Sequence, residues 1–230
     1  MHPDTSRLKR IEGGLLLACE GGEGSGKTTT ARALQQMLTA DGYDVLVTHE
    51  PGDTTLGKKL RSIVIDTDLA HGDIDGYESL FIFAADRHAH IRQIITPALT
   101  AGKIVLCDRY IYSTFVYQEI EGVEPNIIKT VNDLATDGLT PTRTYWFNAS
   151  PKIAMDRIAA ENRNEKNKND AAVESFHAKV RAGFQKLCAE NPGQIIEINA
   201  DQPARAVSST IYNDIVDLIA SATAMRSDKL

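Results

Sequence analysis

Gly21, Gly26, Lys27 and Thr28 stand at the spacing G-x-x-x-x-G-K-[ST], and the chemistry of that spacing is the binding of a nucleotide polyphosphate. Each residue type has a physical reason to be there. Glycine lets the backbone approach a phosphate that a Cβ would hold off. A loop that ends in a helix N-terminus turns its amides toward one point at the positive end of the helix dipole. Gly24, Ser25 and Thr29 belong to the same loop. Lys27 brings a cation to the β- and γ-phosphates, and the Thr28 hydroxyl is a ligand for Mg²⁺. A second cluster follows the apolar run Ile104-Val105-Leu106-Cys107, where Asp108-Arg109-Tyr110 begins. A carboxylate at the end of a strand near a phosphate loop can hold Mg²⁺ through water. A guanidinium beside it can grip a phosphate with two parallel hydrogen bonds.

Other patterns carry less. Glu50-Pro51-Gly52 is by itself a turn signal. Phe81 to Arg87, an aromatic and apolar stretch ending in charge, reads by itself as core rather than as a base-stacking site. Asn167-Lys168-Asn169-Asp170 fits the guanine-reading N-K-x-D pattern, and Asp73-Ile74-Asp75-Gly76 fits D-x-x-G. Both follow polar residues where a switch GTPase has an apolar strand, which argues against that class. The six histidines show no H-E-x-x-H spacing, and no serine or cysteine sits in a G-x-S-x-G elbow. Asn148-Ala149-Ser150 has the spacing of a glycosylation acceptor but precedes proline, and nothing suggests secretion.

The elements that must position these groups alternate. Leu15–Cys19, Val45–His49, Ile104–Asp108, Thr144–Asn148 and Gln194–Ile198 read as strands. Helical faces lie between them. Ala31, Leu34 and Leu38 form one face; Ile91, Ile94, Ile95, Ala98 and Leu99 form another, closed by Gly102. Val173, Phe176, Val180, Phe184 and Leu187 form a third, and Val207, Ile211, Ile215, Leu218 and Ile219 a last one. This predicts an α/β three-layer sandwich: a five-stranded parallel sheet, helices on both faces, and ligands at the carboxyl ends of the strands. A polar segment, Glu161 to Asp170, carries Arg163, Lys166 and Lys168. It reads either as a solvated loop or as a mobile lid, about 161–171, that closes basic groups over a phosphate. Residues 1–12 read as a polar tail and 13–225 as a single domain.

The chain has 230 residues, an apolar share of 42% and a net charge of −6. A negative balance leaves no global footprint for a nucleic-acid polymer, so an anion site must be built locally. Cys19, Cys107 and Cys188 form no C-x-x-C pair, and Cys19 and Cys107 sit in strand-like runs as small core residues, which points to a reducing, cytoplasmic setting. Leu15 to Cys19 is too short for a signal core or a membrane span.

Taken in order, these pieces resemble the thymidylate kinase family of P-loop nucleoside monophosphate kinases, in the bacterial form with a basic lid. The similarity runs from about Leu15 to Ile219. Glu20 to Thr29, with an acidic residue at Glu23, is similar to the family's loop. Thr48-His49-Glu50-Pro51-Gly52 resembles T-R-E-P-G, Phe83 to Arg87 with His90 resembles F-A-A-x-R-x-x-H, and Asp108 to Thr114 with Tyr117-Gln118 resembles D-R-Y-x-x-S-S-x-A-Y-Q. The last two are more specific than the phosphate loop.

The resemblance implies transfer of the γ-phosphate of ATP to dTMP with Mg²⁺, giving dTDP and ADP, by a homodimer. It implies that Phe83 stacks on thymine while Arg87 and Gln118 bond its edge. It implies that Arg109 holds the acceptor phosphate near Glu23, Arg61, Ser113 and Thr114, that Arg163 is the lid arginine, and that the Glu50–Pro51 bond is cis. Catalytic work falls to Lys27, Arg109, Arg163 and Glu23, and metal binding to Thr28 and Asp108. There are departures. His49 stands where the family has an arginine and is a partial substitute, stronger when protonated, unless Arg61 compensates. Pro141-Thr142-Arg143-Thr144 replaces P-D-L-T, and Asp170 is followed by Ala171 rather than by the lid's D-R-x-E run. These leave as alternatives a kinase for another deoxynucleoside monophosphate, such as dUMP or a modified pyrimidine, and a nucleotide-binding homologue with impaired catalysis.

Overall fold

The protein is described from a computed structural model, which covers residues 8–66, 74–161 and 171–227. Its strands are β1 (Leu15–Glu20), β2 (Val45–His49), β3 (Ile104–Asp108), β4 (Arg143–Asn148) and β5 (Ile195–Asn199). All are parallel, in the order β2-β3-β1-β4-β5. The chain therefore steps outward from β1 to β2, returns to β3, and crosses to the other half of the sheet at β4. The reversal opens a crevice between the carboxyl ends of β1 and β3, where Cys19 is in register with Asp108.

Strand alternation divides the core in two. Leu15, Leu17 and Cys19 of β1 pack with Ile104, Leu106, Tyr145 and Phe147 under α1 (Lys27–Ala40) and α9 (Ala204–Ser227). Leu16 and Ala18 pack with Val105, Cys107 and Trp146 on the other face, against Val180 and Phe184 of α8 (Ala171–Glu190). Cys19 and Cys107 are buried, as expected, on opposite faces, and all three cysteines are free. The remaining helices are α2 (Thr55–Asp66), α3 (Gly76–His90), α4 (Thr96–Thr100), α5 (Ile111–Ile120), α6 (Pro125–Thr136) and α7 (Pro151–Glu161).

The helix expected from the apolar face Ile91 to Leu99 begins earlier. It starts at Gly76, runs through a π-helical turn at Ile91–Ile95, and continues as α4. The Thr96 N–H donates to the Ile91 carbonyl across that turn. Ile91, Ile95 and Ala98 are buried, so this face is core rather than an interface. Asp75, at an unspecified position inside the D-x-x-G stretch, caps α3. Its carboxylate accepts the Tyr77 and Glu78 N–H groups while Glu78 accepts the Asp75 N–H, a reciprocal capping box.

The end of the polar 1–12 segment is fastened down. The Lys9 N–H donates to Gly42 O at 2.7 Å and the Ile11 N–H to Gly102 O at 2.8 Å. The expected lid, with Arg163, Lys166, Lys168 and the N-K-x-D pattern, lies outside the described residues.

Candidate active site

β1 runs buried to Glu20 and then breaks at Gly21, whose φ of 141° only glycine holds easily. At Gly24 a Cβ would lie 2.4 Å from the Ala154 carbonyl oxygen, so the loop can pass under α7 only as glycine. The Lys27 side chain folds back into this loop. Its ammonium donates to Gly21 O at 3.0 Å and Gly22 O at 2.7 Å, with Ser25 Oγ at 3.3 Å. Burial, and then the nearby Arg109 cation, push its pKa down to about 7, against the opposing pull of Asp108 and Glu20. Gly24, Ser25, Gly26, Lys27, Thr28 and Thr29 line an open cavity of about 820 Å³ that also takes in Glu23, His49 and Arg61.

Asp108 and Arg109 enter from β3. The Thr28 hydroxyl donates to Asp108 Oδ2 at 2.5 Å, joining the two oxygen groups expected at a metal. Arg109 has a left-handed backbone, φ 70°, held by its N–H on Cys19 O at 2.9 Å. Such a conformation is uncommon in a residue with a Cβ. It turns the guanidinium back over the phosphate loop, where Nη1 lies 3.2 Å from Gly21 O, 3.3 Å from Ser113 Oγ and 3.4 Å from the Tyr117 hydroxyl. Arg109 also lies 5.3 Å from the Tyr117 ring centre. It lines the large cavity and a second one of about 170 Å³.

That smaller cavity is bounded by Phe83, Arg87, Tyr117, Gln118, Ser79 and Glu121. Arg87 is 3% exposed and nearly saturated. Nε donates to Glu50 Oε2 at 2.8 Å, Nη1 to Thr114 Oγ1 at 2.9 Å and Asn132 Oδ1 at 2.5 Å, and Nη2 to Tyr110 O at 3.0 Å. Of five guanidinium N–H groups, one on Nη2 is left. Gln118 is buried, and its Oε1 has no hydrogen-bond partner.

The Glu50–Pro51 bond is cis, as the resemblance implies. Glu50 is supporting structure, however, and not a free ligand group. Its two oxygens are taken by Arg87 Nε and by His90 Nδ1 at 2.9 Å. The same holds for two of the expected acceptor-site hydroxyls. Thr114 serves Arg87. Ser113 Oγ donates to Glu20 Oε2 at 2.5 Å. His49 and Arg61 do reach the large cavity: His49 Nδ1 is 3.8 Å from Asp53 Oδ2, and Arg61 Nη1 donates to Pro51 O at 3.0 Å. The Asp86 carboxyl, beneath them, accepts the Gly52 N–H at 3.1 Å; burial and the Glu50 charge push its pKa up to about 6.

Some working residues gave no sequence signal. Glu20, fully buried, accepts the Tyr110 and Ser113 N–H groups and so caps α5 from another strand. Burial raises its pKa against the lowering effect of those hydrogen bonds. Arg157 of α7 reaches Gly24 O at 3.4 Å, Ser25 O at 3.5 Å and Ala200 O at 2.9 Å on the rim of the large cavity. Ser79 and Glu121 flank Gln118.

A phosphate loop on a β2-β3-β1-β4-β5 sheet, with a second cavity reached across one shared arginine, makes this an ATP-dependent P-loop kinase of the nucleoside monophosphate class. Comparison narrows the class. The sequence model of the thymidylate kinase family matches residues 19–211. A thymidylate kinase of Synechococcus sp. is 37% identical over 214 residues, 92% of this chain and 99% of that protein. One from Geobacillus sp. is 37% identical over 207 residues, 90% and 98% of the two chains. The crystal structure of thymidylate kinase from Ehrlichia chaffeensis superposes with a TM-score of 0.71 at 27% identity, covering 88% of this chain and 98% of that one. The chain belongs to the thymidylate kinase family. Among the described residues no helix is long and apolar enough to cross a membrane.

Proposed function

We propose that this protein transfers the γ-phosphate of ATP to dTMP, releasing dTDP and ADP. The observation that carries the reading is the pair of unused polar groups in the smaller cavity. Arg87 retains one N–H donor and Gln118 one carbonyl acceptor. A base with a carbonyl at C4 and a hydrogen on N3 satisfies both. Cytosine, with an amino group at C4 and a bare N3, satisfies neither. Phe83 supplies the apolar wall.

Arg109 then holds the acceptor phosphate, and Arg61, Glu23 and His49 face it from the larger cavity. The adenine of ATP lies on the rim between Arg157 and Ala200, and its phosphates lie in the loop under Lys27. Thr28 directly, and Asp108 through water, are suited to hold Mg²⁺, whose role when bound is to neutralise charge on the phosphoryl oxygens. The acceptor is already an anion, so no general base is needed, and the chain's own contribution is positioning and charge neutralisation by Lys27, Arg109 and the lid residue Arg163. The three free cysteines fit a cytoplasmic setting.

A coupled ADP-release assay with ATP, Mg²⁺ and each common nucleoside monophosphate tests this. dTMP is expected to give the highest kcat/KM. dUMP, lacking one methyl group, should fall by roughly 10- to 200-fold, and dCMP by more. Preference for dCMP or a purine, or no acceptor-dependent turnover, sinks the reading; preference for dUMP moves it to another pyrimidine.

We also propose a homodimer through α2, α3 and α6, which pack side by side. These three helices carry four exposed large apolar side chains, Leu56, Ile63, Phe81 (57%) and Leu134 (76%), which a partner surface would cover. Sedimentation velocity should give the mass of two chains for the wild type and of one for Phe81→Asp. A monomeric wild type at micromolar concentration rules it out.

A further inference from the structure

The orientation of the Gln118 amide is not free. The Ser79 hydroxyl has two acceptors, Glu121 Oε2 at 2.6 Å and the Gly76 carbonyl at 3.2 Å, and Gln118 Nε2 lies 3.2 Å from both Ser79 Oγ and Glu121 Oε2. A carboxylate only accepts, and a hydroxyl whose hydrogen is already given to it can only accept again. Both neighbours therefore require the NH₂ end of the amide on their side. That requirement points the carbonyl end, Oε1, the other way, where it has no protein partner. Gln118 is 1% exposed and cannot trade this arrangement for water. Glu121 sits at the C-cap of α5 with its body exposed, and nothing else holds its Oε2 among the described residues.

We infer that Glu121 is a specificity-determining residue for the acceptor base: it locks the Gln118 amide so that the cavity presents an acceptor to the N3 position, admitting 4-keto pyrimidines and refusing cytosine. Glu121 does not touch the base. It acts through Gln118, and this rests on the reading of the smaller cavity as the acceptor-base site. With glutamine at 121, an NH₂ group can face Gln118 and the Ser79 hydroxyl is released from the carboxylate. The Gln118 amide can then turn over and offer a donor to the bare N3 of cytosine.

The test is equilibrium binding of dTMP and dCMP by calorimetry without ATP, so that it does not depend on turnover. The readout is the ratio of the two dissociation constants in wild type, Glu121→Gln, Glu121→Ala and Ser79→Ala, each checked for folding by its melting curve. The wild type should favour dTMP. Glu121→Gln should narrow the ratio by roughly 3- to 10-fold, the value of one neutral hydrogen bond, by weakening dTMP and strengthening dCMP. Glu121→Ala should narrow it less, since the Ser79 hydroxyl keeps the Gly76 carbonyl as an acceptor and can still accept from Gln118 Nε2. Ser79→Ala should leave it within about twofold, because the carboxylate alone still demands the NH₂ end. An unchanged ratio in Glu121→Gln and Glu121→Ala overturns the inference, as does an equal change in Ser79→Ala, which would mark a packing effect. A wild type without preference for dTMP overturns it too. Discrimination that shifts as expected in a protein that transfers no phosphate would instead leave this inference standing and remove the kinase reading.

Discussion

A Lys27→Met variant is expected to lose about 10³-fold in kcat, the order seen when a preorganised charge on the transferring group is removed. The loop should survive the change, because its course is set by Gly21 and Gly24 and by Ser25 Oγ on Gly22 O at 2.8 Å. A loss of less than about tenfold would show that another cation covers the transferring phosphoryl group. The same residue predicts a proton linkage. With its pKa pushed down to about 7 by burial and by Arg109, Lys27 is largely uncharged at pH 8. A polyphosphate beside it favours the charged form, so its pKa rises on binding and a proton is taken up. At pH 6 the group is already charged and uptake vanishes. Calorimetry of MgATP binding in buffers of different ionisation enthalpy should report about one proton at pH 8 and almost none at pH 6. Lys27→Met should show no buffer dependence at either pH. Equal heats in every buffer at pH 8 for the wild type would contradict a depressed Lys27.

Arg87→Met should cost about 3–5 kcal/mol of stability, because it strands a buried carboxylate rather than deleting a surface charge. Glu50 keeps only His90, while Thr114 Oγ1, Asn132 Oδ1 and Tyr110 O all lose their donor. For a chain of this size that is a fall in Tm of roughly 6–20 °C. Arg87→Lys should recover little of it, since one ammonium with three hydrogens cannot span four acceptors set around a planar fork. In whatever fraction folds, KM for the acceptor should rise if, as proposed, the remaining Nη2 hydrogen bonds the base. Scanning calorimetry checks the first claim and steady-state kinetics the second. A Tm within about 2 °C of wild type would mean that the Glu50 carboxylate is not held by this pair.

What the sequence made readable follows from how local each signal is. The strand that feeds the phosphate loop, the loop itself and α1 lie within 30 consecutive residues, and their periodicity and fixed spacings suffice. Strand ends fall within one residue of expectation, as at Arg143–Asn148 against Thr144–Asn148; in β1, β3 and β4 an apolar run buried on both faces is hard to mistake. α5 was not legible. Ile111-Tyr112-Ser113-Thr114-Phe115-Val116 is β-branched and aromatic, poor helix material by propensity. Its N-terminus is secured by Glu20, a residue 90 or more positions away. Phe81 to Arg87 shows the limit of reading one stretch as one thing. Leu80 beside it is core, Phe81 faces outward, Phe83 lines the cavity, and Arg87 is buried against a residue 45 positions on. The capping box of α3 was local and present in the letters Asp75 and Glu78, but it overlapped a misleading D-x-x-G match that starts at Asp73.

The π turn at Ile91–Ile95 has a consequence for chain length. An additional residue in one turn sets the helix back by about 100°. The half before it carries Phe83 and Arg87 to the cavity, while the half after it seats Ala98 on the sheet. Two angular phases are thus joined in one rod, and each half meets its own neighbour. Deleting a residue within the turn would keep the rod but swing the first half by more than a quarter of a revolution, carrying Phe83 and Arg87 out of the cavity together. The lining of the smaller cavity is therefore a matter of counting as well as of composition: it depends on how many residues lie between His90 and Thr96.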